Sequence, residues 1–212
     1  MQQIQQPIHP AQIGFDIDCV VADTMEAFIR LAEQKHNIAI APEEITDFIV
    51  EKCLAIDPAI IEAIFLPLLE DPLQNNLRPM PHAVRVLEKF ASRAPLTFVT
   101  ARPDRAPIHG WLEALLGPRI MKDARLVAMG DHDGKIDHIK ELGISYFIDD
   151  RFETCELITA HGLTAIVYNQ PWNTKRHCLP TVTNWLEIEA LCTPERKQCS
   201  RPAPLIKTAV SP

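Results

Sequence analysis

Two carboxylates, one residue apart, follow an apolar run near the start of the sequence. Residues 13–17 have strand character. Asp16 lies within this run, and Asp18 follows it directly. Alternate residues of a strand point to the same side, so these two acids could share a face. In open α/β sheets, ligands bind at the carboxyl ends of the strands. Acids beside an apolar strand need solvent, a charged partner or a metal ion. A surface turn after a strand gives the same short pattern, so the pair alone leaves both interpretations open.

Three further polar groups lie at the ends or at the start of later elements. Thr100 ends the strand-like run 96–100, Lys135 begins a helical pattern, and Asp149 and Asp150 follow the run 146–148. Lys135 precedes Asp149 by 14 residues (149 − 135), which leaves room for a helix, a turn and a strand. Parallel strands place their carboxyl ends at one edge of a sheet, so we expect these groups to converge there with the first two acids.

The ordered set D-x-D, Thr, Lys and D-D resembles the four motifs of the haloacid dehalogenase-like (HAD) hydrolase superfamily. The resemblance covers roughly residues 13–185. It implies an α/β fold with a HAD-like Rossmannoid three-layer core and an inserted all-helical cap. Asp23-Thr24 after the first motif, residues 169–173 (Asn-Gln-Pro-Trp-Asn) and the length of the cap look like the cytosolic 5'(3')-deoxyribonucleotidase branch and its bacterial relatives.

The resemblance also implies catalytic roles. Asp16 matches the nucleophile that attacks phosphorus to form an aspartyl-phosphate, and Asp18 matches the general acid and base. Thr100 matches the residue that hydrogen-bonds the transferring phosphoryl group. Lys135 matches the lysine that holds the phosphate as a point charge. Each of these residues has a structural alternative in isolation, such as a solvated acid or a β-branched strand residue.

Mg²⁺ is the cofactor that the resemblance implies. Asp16, Asp149 and the backbone carbonyl of Asp18 would be its ligands, and Asp150 would bind through water or support the site. Substrate binding is assigned to Thr100, Ala101, Arg102 and Lys135. For Arg102 two roles stay open, because its guanidinium could clamp an anion bidentately or cover the end of a helix.

Cys19 departs from the resembled motif, which has glycine at this position. Glycine permits unusual backbone angles and a close approach to phosphate. Cysteine is small, so the loop could keep its shape, although the geometry of the phosphate-binding backbone is in question. A nucleophilic role for Cys19 would need a histidine or a basic partner that the sequence does not place.

Alternating strand and helix patterns predict a parallel sheet covered on both faces. The five predicted strands are residues 13–17, 96–100, 126–129, 146–148 and 164–168. The predicted core comprises residues 1–23 and 82–192.

Residues 24–81 contain helix signals and no convincing strand, and we predict that they form the helical cap. Helices are expected to begin near Asp23-Thr24, Pro42 and Asp57-Pro58, and Pro67 is expected to end or kink the last of these at Leu66. Residues 193–212 are proline-rich and polar, which is typical of a disordered tail.

Composition excludes several classes of function. The chain has 212 residues and a formal net charge of −7, which argues against binding to a nucleic acid polymer. No apolar run reaches the length of a membrane span, and no secretory signal is visible. The six cysteines form no C-x-x-C pair, which favours reduced thiols and a cytoplasmic location.

The predicted function is a Mg²⁺-dependent phosphomonoester hydrolase acting on a small phosphorylated metabolite, with a nucleoside monophosphate as the candidate substrate. Two alternatives remain: a non-catalytic phosphate-binding or scaffold protein, favoured only by Cys19, and a phosphotransferase. Phe28, Phe48 and Phe65 are expected to pack mainly within the cap, although one of them, or Trp172, could stack on a nucleobase.

Overall fold

A parallel sheet organises the chain. The computed structural model describes residue 4 and residues 7–130, 134–174 and 176–193. In that part of the chain six strands form one sheet in the order β3-β2-β1-β4-β5-β6, and every neighbouring pair is parallel. The strands are β1 Ile13–Phe15, β2 Thr97–Thr100, β3 Arg125–Ala128, β4 Tyr146–Asp149, β5 Thr164–Tyr168 and β6 Thr181–Val182.

Helices connect the strands and form the segment inserted after β1. They are α1 Thr24–His36, α2 Pro58–Glu70, α3 Ala83–Ala91, α4 Arg105–Leu116, α5 Pro118–Asp123, α6 Lys135–Glu141, α7 Phe152–Ala160 and α8 Trp185–Leu191. Several begin at side chains that accept a hydrogen bond from the first helical turn, as the sequence signals predict. Asp23, Asp57 and Asn184 cap α1, α2 and α8 in this way.

Apolar residues cover both faces of the sheet, because alternate strand residues point to opposite sides. Phe147 belongs to one buried cluster with residues of α6 and α7, whereas its neighbour Ile148 belongs to another with residues of α1, α3, α4 and α8. In β5, Ala165 and Ile166 divide in the same way. The central strands are therefore buried on both sides, and polar groups are carried at their carboxyl ends.

The loop after β1 is tightly wound. The backbone N–H groups of Val20, Val21 and Ala22 all approach the carbonyl of Ile17. The start and the end of the inserted segment are also hydrogen-bonded to each other. Asp23 N donates to Arg78 O, and Met80 N donates to Val21 O, both at 2.8 Å. These bonds fix the loop that carries Asp18 against the return of the chain.

The α/β class and the parallel sheet are confirmed, with three local corrections. β6 adds a sixth strand, which the sequence did not reveal because it is only two residues long. The short helix α5, which begins at Pro118, was not among the predicted elements. α2 does not end at Leu66 but continues past Pro67 to Glu70, since proline can keep a helical φ at the cost of one hydrogen bond.

The inserted segment is built from α1, α2 and short 3₁₀ turns, Pro42–Glu44 and Val50–Lys52. Phe28 of α1 is fully buried and stacks on Phe65 of α2 with ring centroids 4.7 Å apart. The division into core and cap stays a prediction. The predicted tail lies outside the described residues from position 194 onward. No helix in the described part of the chain is long and apolar enough to cross a membrane.

Candidate active site

Lys135 lies between Asp16, the predicted nucleophile, and Asp149, a predicted metal ligand. Its Nζ donates a hydrogen bond to Asp149 Oδ2 at 2.7 Å and lies 2.9 Å from Asp16 Oδ1. Asp16 follows β1, Asp149 ends β4, and Lys135 begins α6, so the sheet order brings the three together. All three are buried. Burial alone would lower the pKa of Lys135, but the charges of Asp149 and Asp16 raise it above its usual value, so the ammonium form is stable.

Asp16, Asp149 and Asp150 form a buried carboxylate cluster. One oxygen from each lies within 4.8 Å of the others. Burial raises the pKa of Asp16 to about 7, against the attraction of Lys135. Burial, together with the charges of Asp149 and Asp16, raises the pKa of Asp150 well above its usual value. One lysine therefore does not neutralise the cluster, and hard oxygen ligands of this kind suit a divalent cation.

Asp18 is held by an arginine and a threonine. Arg102 donates from Nε to Oδ2 at 2.9 Å and from Nη2 to Oδ1 at 2.8 Å, and Thr24 donates its hydroxyl to Oδ1 at 2.6 Å. Burial would raise the pKa of Asp18, but the charge and hydrogen bonds of Arg102 outweigh it and lower the pKa. Arg102 also donates from Nη1 to the Leu68 carbonyl near the end of α2, at 2.9 Å. Arg102 therefore binds the carboxylate of Asp18 and covers the end of α2, while its assignment to substrate binding stays a prediction.

Two residues after β5 support Asp150. Trp172 donates its indole N–H to Asp150 Oδ2 at 3.0 Å, and Asn173 donates to the backbone carbonyls of Asp150 and Tyr168 at 2.7 and 2.8 Å. Trp172 and Asn173 are both buried. Supporting hydrogen bonds of this kind orient a carboxylate for metal binding.

Cys19 adopts the left-handed conformation, with φ of 57°. This region favours glycine, so the loop keeps the backbone shape that a glycine would give, with some strain. Gln170 donates from Nε2 to the Cys19 carbonyl at 2.8 Å. Burial and the surrounding aspartates raise the pKa of the Cys19 thiol well above its usual value, which does not favour a thiolate nucleophile.

Two neighbouring cavities share four lining residues, Asp18, Cys19, Phe48 and Ala101. The first, of about 50 Å³, contains the carboxylate cluster and Lys135. The second, of about 280 Å³, lies beneath the inserted segment. Its walls are mainly apolar and include Met25, Phe48, Phe65, Leu68, Leu69 and Pro103.

Thr100 lies at the end of β2, fully buried, where its hydroxyl accepts a hydrogen bond from Arg102 N at 3.3 Å. It does not line either cavity, whereas Ala101 lines both and Arg102 lines the second. The contribution of Thr100 to phosphate binding therefore stays a prediction. The structure brings Asp16, Asp18, Lys135, Asp149 and Asp150 to a common region.

Sequence reasoning did not assign several residues of this site. Arg151 and Thr154 line the catalytic cavity, and Phe48 contributes to both cavities. The Arg151 guanidinium lies 5.3 Å from the centre of the Phe48 ring, so it bridges the core and the inserted segment. Arg151 directly follows Asp149-Asp150, and this position could have indicated that it lies at the site. Thr24 was interpreted only as part of a helix start, so its hydrogen bond to Asp18 was not predicted.

The fold and the site define a HAD-like phosphatase, a hydrolase of phosphoric monoesters in a class that typically uses a divalent metal. Residues 10–198 match the sequence model of the family described as "5' nucleotidase, deoxy (Pyrimidine), cytosolic type C protein". The chain therefore belongs to this family. A search of curated proteins found no match.

Solved structures share the fold at low identity. A haloacid dehalogenase-like family hydrolase from Streptococcus pneumoniae is 14% identical with a TM-score of 0.56, covering 84% of this chain and 96% of its own. A predicted phosphoglycolate phosphatase from Haemophilus somnus is 13% identical with a TM-score of 0.55, covering 88% and 99%. A HAD-superfamily hydrolase of subfamily IA from Geobacter sulfurreducens is 14% identical with a TM-score of 0.51, covering 85% and 95%. At these identities the likeness establishes the fold alone.

Proposed function

We propose that this protein is a Mg²⁺-dependent phosphomonoesterase that works through an aspartyl-phosphate on Asp16, with a nucleoside monophosphate as its substrate. The observation that carries the proposal is the convergence of Asp16, Lys135 and Asp149, with 2.9 and 2.7 Å between the ammonium and the two carboxylates. The proposed nucleophile, the proposed phosphate-binding cation and a proposed metal ligand are therefore adjacent.

Phosphoryl transfer to the enzyme is the first step of the proposed mechanism. An oxygen of Asp16 attacks phosphorus, and the bond between phosphorus and the substrate's bridging oxygen breaks. That oxygen leaves with the bonding electron pair and takes a proton from Asp18, two residues after Asp16. Because the pKa of Asp18 is lowered in the unliganded site, this proton has to be taken up together with the substrate. Lys135 binds the non-bridging oxygens, whose negative charge it offsets. Thr100 and the Ala101 backbone position the phosphoryl group.

Hydrolysis restores the enzyme in the second step. Asp18, now ionised, accepts a proton from water, and the water oxygen attacks phosphorus. The bond between phosphorus and Asp16 breaks, so inorganic phosphate leaves and the Asp16 carboxylate is regenerated. Arg102 and Thr24 keep the Asp18 carboxylate oriented toward the cavity through the three hydrogen bonds that hold it.

The carboxylate cluster fits a bound Mg²⁺. Three carboxylates share this buried space with one lysine, which pairs with Asp16 and Asp149. A divalent cation among the carboxylates would offset the remaining negative charge and their mutual repulsion. Asp16, Asp149 and the Asp18 backbone carbonyl would hold the ion, with Asp150 binding through water or supporting it. When bound, Mg²⁺ offsets the charge of the phosphate and orients it.

The substrate assignment rests on the family and on the second cavity. The family description names a pyrimidine deoxynucleotidase, and the cavity beside the catalytic groups has apolar walls that include Phe48 and Phe65. Aromatic rings of this kind can stack on a nucleobase. The inserted segment would act as a cap that closes over the site. The same family description, with its word "cytosolic", supports a cytoplasmic location.

A substrate comparison tests the proposal. We expect kcat/KM for deoxyribonucleoside monophosphates to exceed that for phosphoglycolate, a small substrate with no group for the apolar cavity. EDTA should abolish turnover of both, and Mg²⁺ should restore it. Higher kcat/KM for the small phosphate would discard the nucleotidase assignment but keep the phosphatase. Full activity in EDTA would discard the metal-dependent mechanism.

A further inference from the structure

Thr154 is a buried threonine on the wall of the catalytic cavity. It is 7% exposed and lies in the first turn of α7, directly after the segment that carries Asp150 and Arg151. Its hydroxyl makes no hydrogen bond to any residue in the described part of the chain. A buried hydroxyl without a partner is costly, so an acceptor that enters the cavity and bonds to it would be favoured.

The position of Thr154 in its helix explains why the hydroxyl has no partner. A threonine in a helix often donates to the carbonyl four residues earlier. Thr159 of the same helix does so, since its hydroxyl donates to the Cys155 carbonyl at 2.8 Å. For Thr154 the corresponding carbonyl is that of Asp150, which accepts instead from Asn173 Nδ2 at 2.7 Å. The Thr154 hydroxyl is therefore left available to the cavity.

The first turn of α7 carries further unused donors. This helix has nine residues, and the side chain of its N-cap residue, Arg151, makes no capping hydrogen bond. Cys155 N is the first to find a backbone acceptor, the Arg151 carbonyl at 3.1 Å, and the N–H groups of residues 152–154 have none among the described residues. Such a helix end favours negative charge. A free hydroxyl and the positive end of a helix thus lie at one wall of the cavity.

The size of the cavity limits what the hydroxyl can meet. A volume of about 50 Å³ accommodates about three or four water molecules, or one phosphoryl group of similar size. Lys135 and Thr154 both line this cavity. An occupant that fills so small a space contacts the lining on several sides, so a phosphoryl group that reaches Lys135 also comes close to Thr154.

Thr100 offers its hydroxyl less readily than Thr154. The Thr100 side chain is fully buried, lines neither of the two cavities, and accepts a hydrogen bond from Arg102 N at 3.3 Å. Thr154 lines the catalytic cavity and has no competing partner among the described residues. The hydroxyl that is accessible from the cavity is therefore on α7, outside the motifs that the sequence revealed.

We infer that Thr154 is a phosphate-binding residue of the catalytic cavity, whose hydroxyl donates to a non-bridging oxygen of the phosphoryl group at the N-terminal end of α7. This inference rests on the proposed phosphatase function and adds a residue to the same site. Lys135 holds the phosphoryl group from α6, and Thr154 holds it from α7. The non-bridging oxygens carry charge before and during transfer, so loss of the hydroxyl should weaken binding more than it slows the chemical step.

The binding experiment uses inorganic phosphate as the probe, titrated by calorimetry into the protein with MgCl₂ present. Thr154→Val keeps the shape of the side chain but removes the hydroxyl, and it should raise Kd for phosphate about tenfold, because a hydrogen bond to a charged group is lost. Thr154→Ser keeps the hydroxyl and should stay within about threefold of the wild type. Thr159→Val, which removes a hydroxyl of the same helix away from the cavity, should leave the affinity unchanged.

Three binding outcomes would overturn the assignment. One is the absence of phosphate binding to the wild-type protein, and another is equal phosphate affinity in the wild type and Thr154→Val. The third is a loss of affinity for MgCl₂ alone in Thr154→Val with phosphate affinity unchanged, since the hydroxyl would then support the metal site. None of these measurements needs turnover.

The kinetic arm uses p-nitrophenyl phosphate. Thr154→Val should raise KM about tenfold and change kcat by no more than about threefold, and Thr154→Ser should restore KM. Turnover by the wild type with an unchanged KM in Thr154→Val would overturn the inference and leave the phosphatase function in place. No turnover by the wild type, together with phosphate binding that depends on Thr154, would support the inference and discard the phosphatase function.

Discussion

Arg102 donates hydrogen bonds to both carboxylate oxygens of Asp18, at 2.9 and 2.8 Å, and its Nη1 donates to the Leu68 carbonyl of α2. One buried guanidinium therefore joins a proposed catalytic acid to the inserted segment. Lysine cannot reproduce this geometry, since it provides a point charge in place of a planar fork. The orientation of Asp18 thus depends on a residue that comes 84 positions later in the chain.

Arg102→Lys should lower kcat by about tenfold or more while KM changes by no more than about threefold, because the lost bonds orient Asp18 and do not bind substrate. Steady-state kinetics on p-nitrophenyl phosphate measures this. Arg105→Lys, a change near the start of α4, serves as the control. A large rise in KM at constant kcat would show instead that Arg102 binds the phosphate directly.

Trp172→Phe should weaken Mg²⁺ binding by about tenfold, because it removes the hydrogen bond that orients Asp150 but keeps an aromatic ring in place. Titration calorimetry of the protein with MgCl₂ measures the affinity without substrate. Trp111→Phe is the matched control, since Trp111 is equally buried and donates to the Leu77 carbonyl outside the site. An equal loss of Mg²⁺ affinity in both variants would indicate a general effect of removing an indole, not a role for Trp172 in metal binding.

Lys135→Met should destabilise the metal-free protein by about 3 kcal/mol, because Asp16 and Asp149 would remain buried without their cation. Urea unfolding in EDTA gives the free energy of unfolding, and added Mg²⁺ should recover part of the loss. Lys140→Met, at an exposed position of the same helix, should have little effect. Equal stability of the two variants in EDTA would contradict the electrostatic role assigned to Lys135.

A surface network gives a pH-dependent contribution to stability. Glu189 of α8 pairs with Arg85 and Lys89 of α3 at 2.7 and 2.8 Å, and these bonds lower its pKa. A lowered folded-state pKa means that the stabilisation is present above the unfolded pKa and is lost as the pH falls through the folded value. We expect Glu189→Gln to cost about 0.5–1 kcal/mol at neutral pH and almost nothing once Glu189 is protonated in both states.

Thermal or urea unfolding between neutral and acidic pH checks this dependence. Glu88→Gln, at an exposed position of α3, is the control and should show no comparable pH dependence. A difference between wild type and Glu189→Gln that stays constant as the pH falls would exclude an ionic origin.

The residues that follow strands were predictable from the sequence because parallel strands share a carboxyl edge. This argument placed Asp16 near Asp149. The resemblance to the HAD motifs supplied Lys135, whose separation from Asp149 agreed with it. The strand β5 was predicted with its observed bounds, residues 164–168. β6 was missed, because two residues carry no detectable period.

The partners within the site were not predictable, since they depend on contacts between distant segments. Arg102 meets Asp18 across 84 residues, and Gln170 meets the Cys19 carbonyl across 151. Trp172 was expected to be either packed or stacking, whereas it is buried and donates to Asp150. Side-chain direction and long-range packing decide such pairs, and local spacing contains neither.

The central claim is that Asp16 receives the phosphoryl group, and intact mass spectrometry after rapid acid quench tests it directly. With p-nitrophenyl phosphate, whose leaving group needs little protonation, Asp18→Asn should accumulate a species heavier by one phosphoryl group, because its hydrolysis lacks the base. Asp16→Asn should show no such species and no turnover. A phosphorylated protein or retained phosphatase activity in Asp16→Asn would contradict the covalent mechanism.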